Sequence, residues 1–233
     1  MRIVSFNTQH CLDYLAQVID FQKFADAIAA LGADVVGLNE MRGAGIHPEY
    51  TDQTKELSIR SGMRHYFFAK AIDVDGVNPY GNAMLSKLPI VSAEVISIPD
   101  PDPKLCNPGY YETRCLLKAV LENGLTILVC HFGLNPDEQE SAVRTILPHI
   151  KGEQCILMGD FNVTPDSSIL APIYQRMKDT AVFFAEPKLS FPSDKPEVKI
   201  DYIFTSPDLE VTAADIPALI VSDHRPYIVD IRL

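Results

Sequence analysis

Short runs rich in Val, Ile and Leu recur along this chain, and one after another ends in a polar residue of the kind that binds metal or phosphate. Val4-Ser5-Phe6 ends at Asn7, Val36-Gly37-Leu38-Asn39 at Glu40, Leu128-Val129-Cys130 at His131 and Leu157-Met158-Gly159 at Asp160, while Ser222-Asp223-His224 precedes the last run. Short apolar runs bounded by turn residues are the signature of strands. Polar groups at strand ends gather in one crevice when the strands share a sheet edge, the usual place for an α/β active site.

The predicted strands cover residues 3–6, 35–38, 83–85, 91–98, 116–121, 125–130, 155–158, 200–204 and 227–231. Leu15, Val18, Ile19, Phe21, Phe24, Ala25, Ile28 and Leu31 recur at helical spacing before Gly32 closes the segment. A second helix is predicted from Asn135-Pro136 through Ala142, Val143, Ile146 and Leu147, and a third after Pro165-Asp166. Glu122-Asn123-Gly124 marks a hairpin, because Asn-Gly suits positions of positive φ. Crossover-length and hairpin-length connections together imply an α/β protein with one or two mixed sheets rather than a purely parallel one. No repeat, low-complexity tract or Gly/Ser linker interrupts the 233 residues, so one domain over 1–233 is expected. The proline-dense stretch from Pro99 to Pro103, with Pro108, reads as a surface loop.

Taken singly, each polar residue has an ordinary explanation. Asn7 and Asn162 suit turns, Glu40, Asp160 and Asp201 suit helix caps or the surface, and His131 suits a core histidine bonded to backbone. Together they favour function, because burying so many carboxylates at apolar strand ends is costly without a cation. Arg114, in Glu112-Thr113-Arg114 before a strand, can contact a substrate phosphate or form a surface ion pair. Asn82 can shape the floor of a site or pin a turn.

The series Asn7, Leu38-Asn39-Glu40, Tyr80-Gly81-Asn82-Ala83-Met84-Leu85-Ser86, Cys130-His131-Phe132, Gly159-Asp160-Phe161-Asn162, Ile200-Asp201-Tyr202-Ile203 and Ser222-Asp223-His224-Arg225-Pro226 resembles, over essentially the whole chain, a small bacterial-type member of the endonuclease/exonuclease/phosphatase (DNase I-like) superfamily. One triplet alone is a weak signal; the set is strong. The resemblance implies a four-layered α/β sandwich, two packed mixed β-sheets flanked by helices, with the site at one end of the sheets. It implies Mg2+, or Mn2+ in its place, held by Glu40, with Asn7 and Asp223 nearby as ligands or through water. Asp160 would orient or deprotonate the attacking water, and Asn162 would hold that water and the phosphate. His224, paired with Asp201, would bind phosphoryl oxygens, and His131 would stand near the scissile phosphate and leaving group.

Mg2+ takes oxygen ligands and keeps several waters, so one or two carboxylates suffice. A carboxylate behind each histidine would fix its tautomer and favour the imidazolium, a duty Asp201 fits for His224. Gln9 and His10 stand where relatives of exonuclease III carry an acidic residue and a glycine, which argues against abasic-site repair.

A formal charge of −11 disfavours broad binding to nucleic acid, which draws on Lys and Arg. There is no Trp, and no basic stripe interleaved with aromatics offers bases a stacking platform. The expected function is a divalent-metal-dependent phosphoesterase that hydrolyses a phosphodiester or phosphomonoester by in-line attack of an activated water, on a small metabolite or lipid head group. The alternative is a low-specificity DNA or RNA endonuclease on the same fold; the completeness of the polar set disfavours a catalytically inactive binding protein. A calcineurin-type two-metal site would need Asp-x-His and Gly-Asn-His, and neither occurs. No apolar stretch is long enough for a bilayer, no secretory signal opens the sequence, and the five dispersed cysteines read as reduced core residues. A cytoplasmic monomer is expected.

Overall fold

The computed structural model describes residues 1–106 and 109–233, so Pro108 of the proline-dense stretch lies outside the described residues. In chain order the elements are β1 (Arg2–Asn7), β2 (Leu12–Asp13), β3 (Val18–Ile19), α1 (Phe21–Leu31), β4 (Val35–Arg42), α2 (Gln53–Ser61), β5 (His65–Val74), β6 (Asn78–Ser86), β7 (Ile90–Ser97), β8 (Cys115–Leu121), β9 (Thr126–His131), α3 (Pro136–Ile146), β10 (Cys155–Asp160), α4 (Ala171–Tyr174), β11 (Lys178–Asp179), β12 (Asp201–Thr205), β13 (Glu210–Asp215) and β14 (Tyr227–Arg232). Two six-stranded sheets carry the fold, in the orders β13-β14-β1-β4-β6-β5 and β11-β12-β10-β9-β8-β7, and β2 and β3 form a small hairpin apart. Each large sheet has one parallel pair at its centre, β1 with β4 and β9 with β10, and antiparallel neighbours on either side. A parallel pair needs a long crossover, and α1 and α3 lie in those two connections.

Side-chain alternation along the strands decides the layers. Ile3 and Val35 enter the core between the sheets with Leu117, Ile127, Val129, Ile156 and Met158. Their neighbours Val4 and Val36 join Phe24 and Ile28 of α1 and Leu57 of α2 in a second core. Leu128, Cys130, Leu157 and Tyr202 do the same with Ala142 and Ile146 of α3 in a third. Helices, sheet, sheet and helices make the expected four-layered α/β sandwich. Both faces of the central strands are covered, which is why they read as continuous apolar runs.

Where the structure departs from the sequence reading, the causes are local. Helix α1 starts at Phe21 rather than Leu15 because Asp20 caps it, its carboxylate accepting from the Lys23 N–H. Leu15 and Val18 stay exposed, and the residues before the cap form the β2–β3 hairpin, where Asp13 Oδ1 accepts from the N–H groups of Leu15 and Ala16. The helix after Pro165-Asp166 shrinks to a 3-10 turn, Ser168–Leu170, running into the one-turn α4. Helix α2 and the edge strands β5 and β13 have no clear apolar period: α2 buries Leu57 but exposes Ile59, and β5 and β13 alternate weakly. The Asn123-Gly124 turn joins β8 to β9 as expected, with Gly124 at φ +86°. All five cysteines are free; Cys11, Cys115, Cys130 and Cys155 are buried, whereas Cys106 is half-buried outside the core. Among the described residues no helix is long and apolar enough to cross a membrane.

Candidate active site

Strand register delivers the polar strand ends to one place. Asn7, ending β1, lies opposite Asn39 in β4, and Asp160, ending β10, lies between His131 at the end of β9 and Asp201 at the start of β12. Two backbone distortions aim the carboxylates. The β4–β6 ladder slips between Leu38 and Met41, leaving Glu40 left-handed at φ +60°. Gly159, just before Asp160, has φ +143°, and an added Cβ would collide with the Cys130 carbonyl oxygen. A side-chain-bearing residue held left-handed costs on the order of 1–3 kcal/mol, so at Glu40, and at Asn162 with φ +51°, the surroundings enforce the conformation.

Three asparagines stitch the two sheets together around the site. Asn7 Nδ2 donates to Glu40 Oε1 in its own sheet and to Asp160 Oδ2 in the other, both at 3.0 Å. Its Oδ1 accepts from the Gln9 N–H at 3.1 Å, so the amide nitrogen, not the oxygen, faces the carboxylates. Asn39, wholly buried, donates from Nδ2 to Asn82 Oδ1 (2.8 Å) and to the Cys130 carbonyl (3.0 Å), and accepts at Oδ1 from the Asp160 N–H (3.0 Å). Asn82 carries the link to the Cys115 carbonyl at 2.9 Å. Asn82 therefore sits within β6 in the polar bridge between the sheets rather than in a turn. A planar amide offers donors and an acceptor at once, so one side chain can satisfy a carbonyl and an N–H of the facing sheet while bonding a side chain in its own.

Asp160 is the electrostatic centre. Besides the Asn7 amide, Nε2 of His131 and Nε2 of His224 each stand 3.5 Å from its Oδ2, and its Oδ1 accepts from the Asn162 N–H at 2.9 Å. Burial raises the Asp160 carboxyl above its ordinary range, with the His224 charge opposing. Burial alone would lower His224, but the charges of Asp201 and Asp160 outweigh it and raise the ring above its ordinary value. Its Nδ1 lies 2.8 Å from Asp201 Oδ2, so His224 has the carboxylate partner that was expected, and this partner favours the imidazolium.

His131 departs from that expectation. Its Nδ1 faces Arg114 Nη1 at 2.9 Å and its Nε2 faces Asn162 Nδ2 at 3.2 Å; a guanidinium and an amide nitrogen both donate, so both contacts call for an acceptor and disfavour the imidazolium. Burial, then the Arg114 charge, then His224 push His131 well below its ordinary value. Arg114 is also paired with Glu112 Oε1 at 2.6 Å, and with 11% of its side chain exposed the pair belongs to the cleft wall rather than the surface.

These groups open into a cleft of about 430 Å³, where Glu40, His131, Asp160, Asn162, Asp223 and His224 meet Arg114, Glu112, Tyr80, Tyr110, Leu134, Phe191 and Ile200. Asn7, Asn82 and Asp201 are buried behind these residues and support them. Tyr110, Leu134 and Phe191 come from segments with no motif to announce them, whereas Tyr80 opens the Tyr80–Ser86 stretch and Glu112 stands two residues before Arg114. Asn39 stood inside Leu38-Asn39-Glu40, with burial in an apolar run as its one signal.

The donor chemistry suits a hard divalent cation. Burial pushes Glu40 up, Asp223 adds to this, and the Asn7 amide that donates to it is neutral, so its charge invites a cation. Asp223 holds the Ser222 hydroxyl on Oδ1 and presents its carboxylate to the same cleft. Asp160, Asp201 and His224 also bring one donor atom each within 4.8 Å of one another, a cluster able to hold a metal. Those atoms already serve one another, Nδ1 of His224 with Asp201 above all, which leaves the Glu40–Asp223 side as the better cation seat.

Residues 4–224 match the model of the Endonuclease/Exonuclease/phosphatase family. No curated protein matches the sequence. Among solved structures, an endonuclease/exonuclease/phosphatase from Beutenbergia cavernae DSM 12333 is similar at 23% identity over 100% of this chain and 71% of that one, with a TM-score of 0.81. A mannosyl-6-phosphatase from Bacteroides thetaiotaomicron VPI-5482 is 16% identical over 100% of both chains, with a TM-score of 0.78. The human Nocturnin catalytic domain with bound sulfate anion is 17% identical over 100% of this chain and 93% of its own, with a TM-score of 0.72. At these identities the structural likeness speaks for the fold.

Proposed function

Because the chain belongs to the endonuclease/exonuclease/phosphatase family, whose members hydrolyse phosphate esters, we propose that it is an Mg2+-dependent phosphoesterase acting on a small phosphorylated metabolite or lipid head group, with Mn2+ able to replace Mg2+. The observation that carries this reading is the convergence of Asp160, His131 and His224 on one cleft in which Arg114 is the sole Lys or Arg among the described lining residues. A long polyanion would find little there to neutralise its phosphates.

Glu40 and Asp223 would hold the metal, which supplies Lewis-acid polarisation of a phosphoryl oxygen when bound. Asp160, its Oδ1 on the Asn162 N–H and its Oδ2 among Asn7 and the two histidines, orients a water and accepts its proton. The water oxygen forms the new bond to phosphorus as the bond to the alcohol oxygen breaks on the opposite side, and the departing oxygen takes a proton from solvent. His224, kept cationic by Asp201, offsets the charge gathering on the phosphoryl oxygens. His131, kept neutral by burial and by Arg114, lines the cleft beside Asn162 and Asp160. A mannosyl-6-phosphatase and a sulfate-bound domain among proteins of this fold agree with a small anionic substrate.

The test is one Mg2+ and Mn2+ assay run in parallel on a bis-aryl phosphate, a mono-aryl phosphate, a phospholipid and supercoiled plasmid. Turnover of a small ester is the expected result. Efficient plasmid nicking that falls steeply with salt, with every small ester ignored, would replace this reading with that of a low-specificity nuclease.

A further inference from the structure

The part of the cleft wall around Tyr110 and Leu134 carries chemistry that the hydrolytic step does not use. Tyr110 and Leu134 are 63% and 56% exposed yet both line the cleft. Single exposed apolar residues are ordinary, but these two come from separate segments tied into one surface. Asn135 Nδ2 donates to the Tyr110 carbonyl at 2.6 Å, Tyr110 Oη donates to Glu112 Oε2 at 2.8 Å, and Glu138 Oε1 accepts from the Glu112 N–H at 3.2 Å. The outcome is an aromatic and aliphatic surface bonded to the Glu112 carboxylate.

Resting on the hydrolytic reading above, we propose that the leaving alcohol is an uncharged, polyhydroxylated ring, as in a hexose phosphate, lying with its C–H face on Tyr110 and Leu134 and its hydroxyls toward Glu112. An ionised carboxylate only accepts hydrogen bonds, so Glu112, already paired with Arg114, suits hydroxyl donors and offers no donor to a second phosphate. The one guanidinium available for such a phosphate, that of Arg114, is already engaged by Glu112 at 2.6 Å and by His131 at 2.9 Å. The cleft of about 430 Å³ is near the small end of ligand sites, which run from roughly 300 to 1,000 Å³. That room holds a phosphorylated monosaccharide.

The experiment measures kcat/KM with Mg2+ for a hexose 6-phosphate, the matching hexose bisphosphate, glycerol phosphate and an aryl phosphate. In the unaltered enzyme the hexose monophosphate is expected to exceed the bisphosphate by at least about tenfold. In the Tyr110→Ala, Leu134→Ala double variant the ratio of hexose phosphate to glycerol phosphate should fall about tenfold through KM. Leu134→Lys should raise the ratio of bisphosphate to monophosphate. A bisphosphate that matches the monophosphate, or a double variant that leaves the hexose-to-glycerol ratio unchanged, overturns the proposal. Turnover of aryl phosphate without any hexose phosphate refutes this inference and leaves the hydrolytic reading standing, whereas no turnover of any ester removes both.

Discussion

Asn39 offers the sharpest test of how the two sheets hold the site. Its amide makes three hydrogen bonds, to Asn82 Oδ1, to the Cys130 carbonyl and from the Asp160 N–H, and the residue has no exposed surface. Two of the three cross from one sheet to the other. Asn39→Ala removes all of them and leaves a carbonyl, an N–H and an amide oxygen without their partner, at about 1–3 kcal/mol for each buried group stranded in this way. The simple sum runs from about 3 to about 9 kcal/mol, and relaxation or an entering water moves the expectation toward about 4 kcal/mol. Domains of this kind have only about 5–15 kcal/mol in total, so the urea midpoint should drop by a large fraction with little change in slope. Asn82→Ala and the double variant complete a cycle. Because the two amides share one bond, the pair should lose at least about 1 kcal/mol less than the sum of the singles. A loss below about 1 kcal/mol for Asn39→Ala, or strict additivity with Asn82→Ala, would refute the claim that this bridge joins the sheets.

Three further outcomes follow from the same geometry. Asp160→Asn should lower kcat by more than about 10²-fold with unchanged circular dichroism, since general-base assistance is typically worth 10²–10⁴-fold; near-normal turnover would take the proton-accepting role away from Asp160. Glu40→Ala should raise the Mg2+ or Mn2+ concentration needed for half-maximal activity, and an unmoved titration would contradict its place as a metal ligand. Lys199, buried over the Tyr202 ring at 3.3 Å and 3.5 Å from Asp179, is pushed down by burial from 10.5 to about 8. A lowered lysine penalises the folded state in full below about pH 8, and the penalty disappears as pH rises toward 10.5. Lys199→Met should therefore lose up to about 3 kcal/mol of its stability relative to the unaltered protein between pH 7 and pH 10.5. A relative stability that stays flat in urea unfolding across that range would show Lys199 to be free of such a penalty.

What could be read in advance followed burial on both faces. Strands β1, β4, β9 and β10 are covered by a second sheet on one side and helices on the other, so their sequences are apolar throughout, and Asn7, Glu40, His131 and Asp160 stand out at their ends. The edge strands β5 and β13 lack that contrast, since part of each meets water. The same limit applies to partners within the site. Asp201 could be assigned to His224, because a histidine with a carboxylate is a common pairing, but nothing local links Arg114 to His131. Their contact depends on β8 and β9 pairing with Leu116 opposite Cys130, which brings the residues before β8 beside the end of β9. That single register changes the chemistry, because a carboxylate behind His131 would favour an imidazolium, whereas the guanidinium in its place adds to burial in disfavouring one. Asn7 makes the same point at the level of atoms. An amide can present oxygen to a cation or nitrogen to a carboxylate, and two carboxylates from different sheets, Glu40 and Asp160, draw its nitrogen inward while the Gln9 N–H holds its oxygen. Residue types can thus be read from a pattern, but which atom of each faces the phosphate is decided by the packing of one sheet on the other.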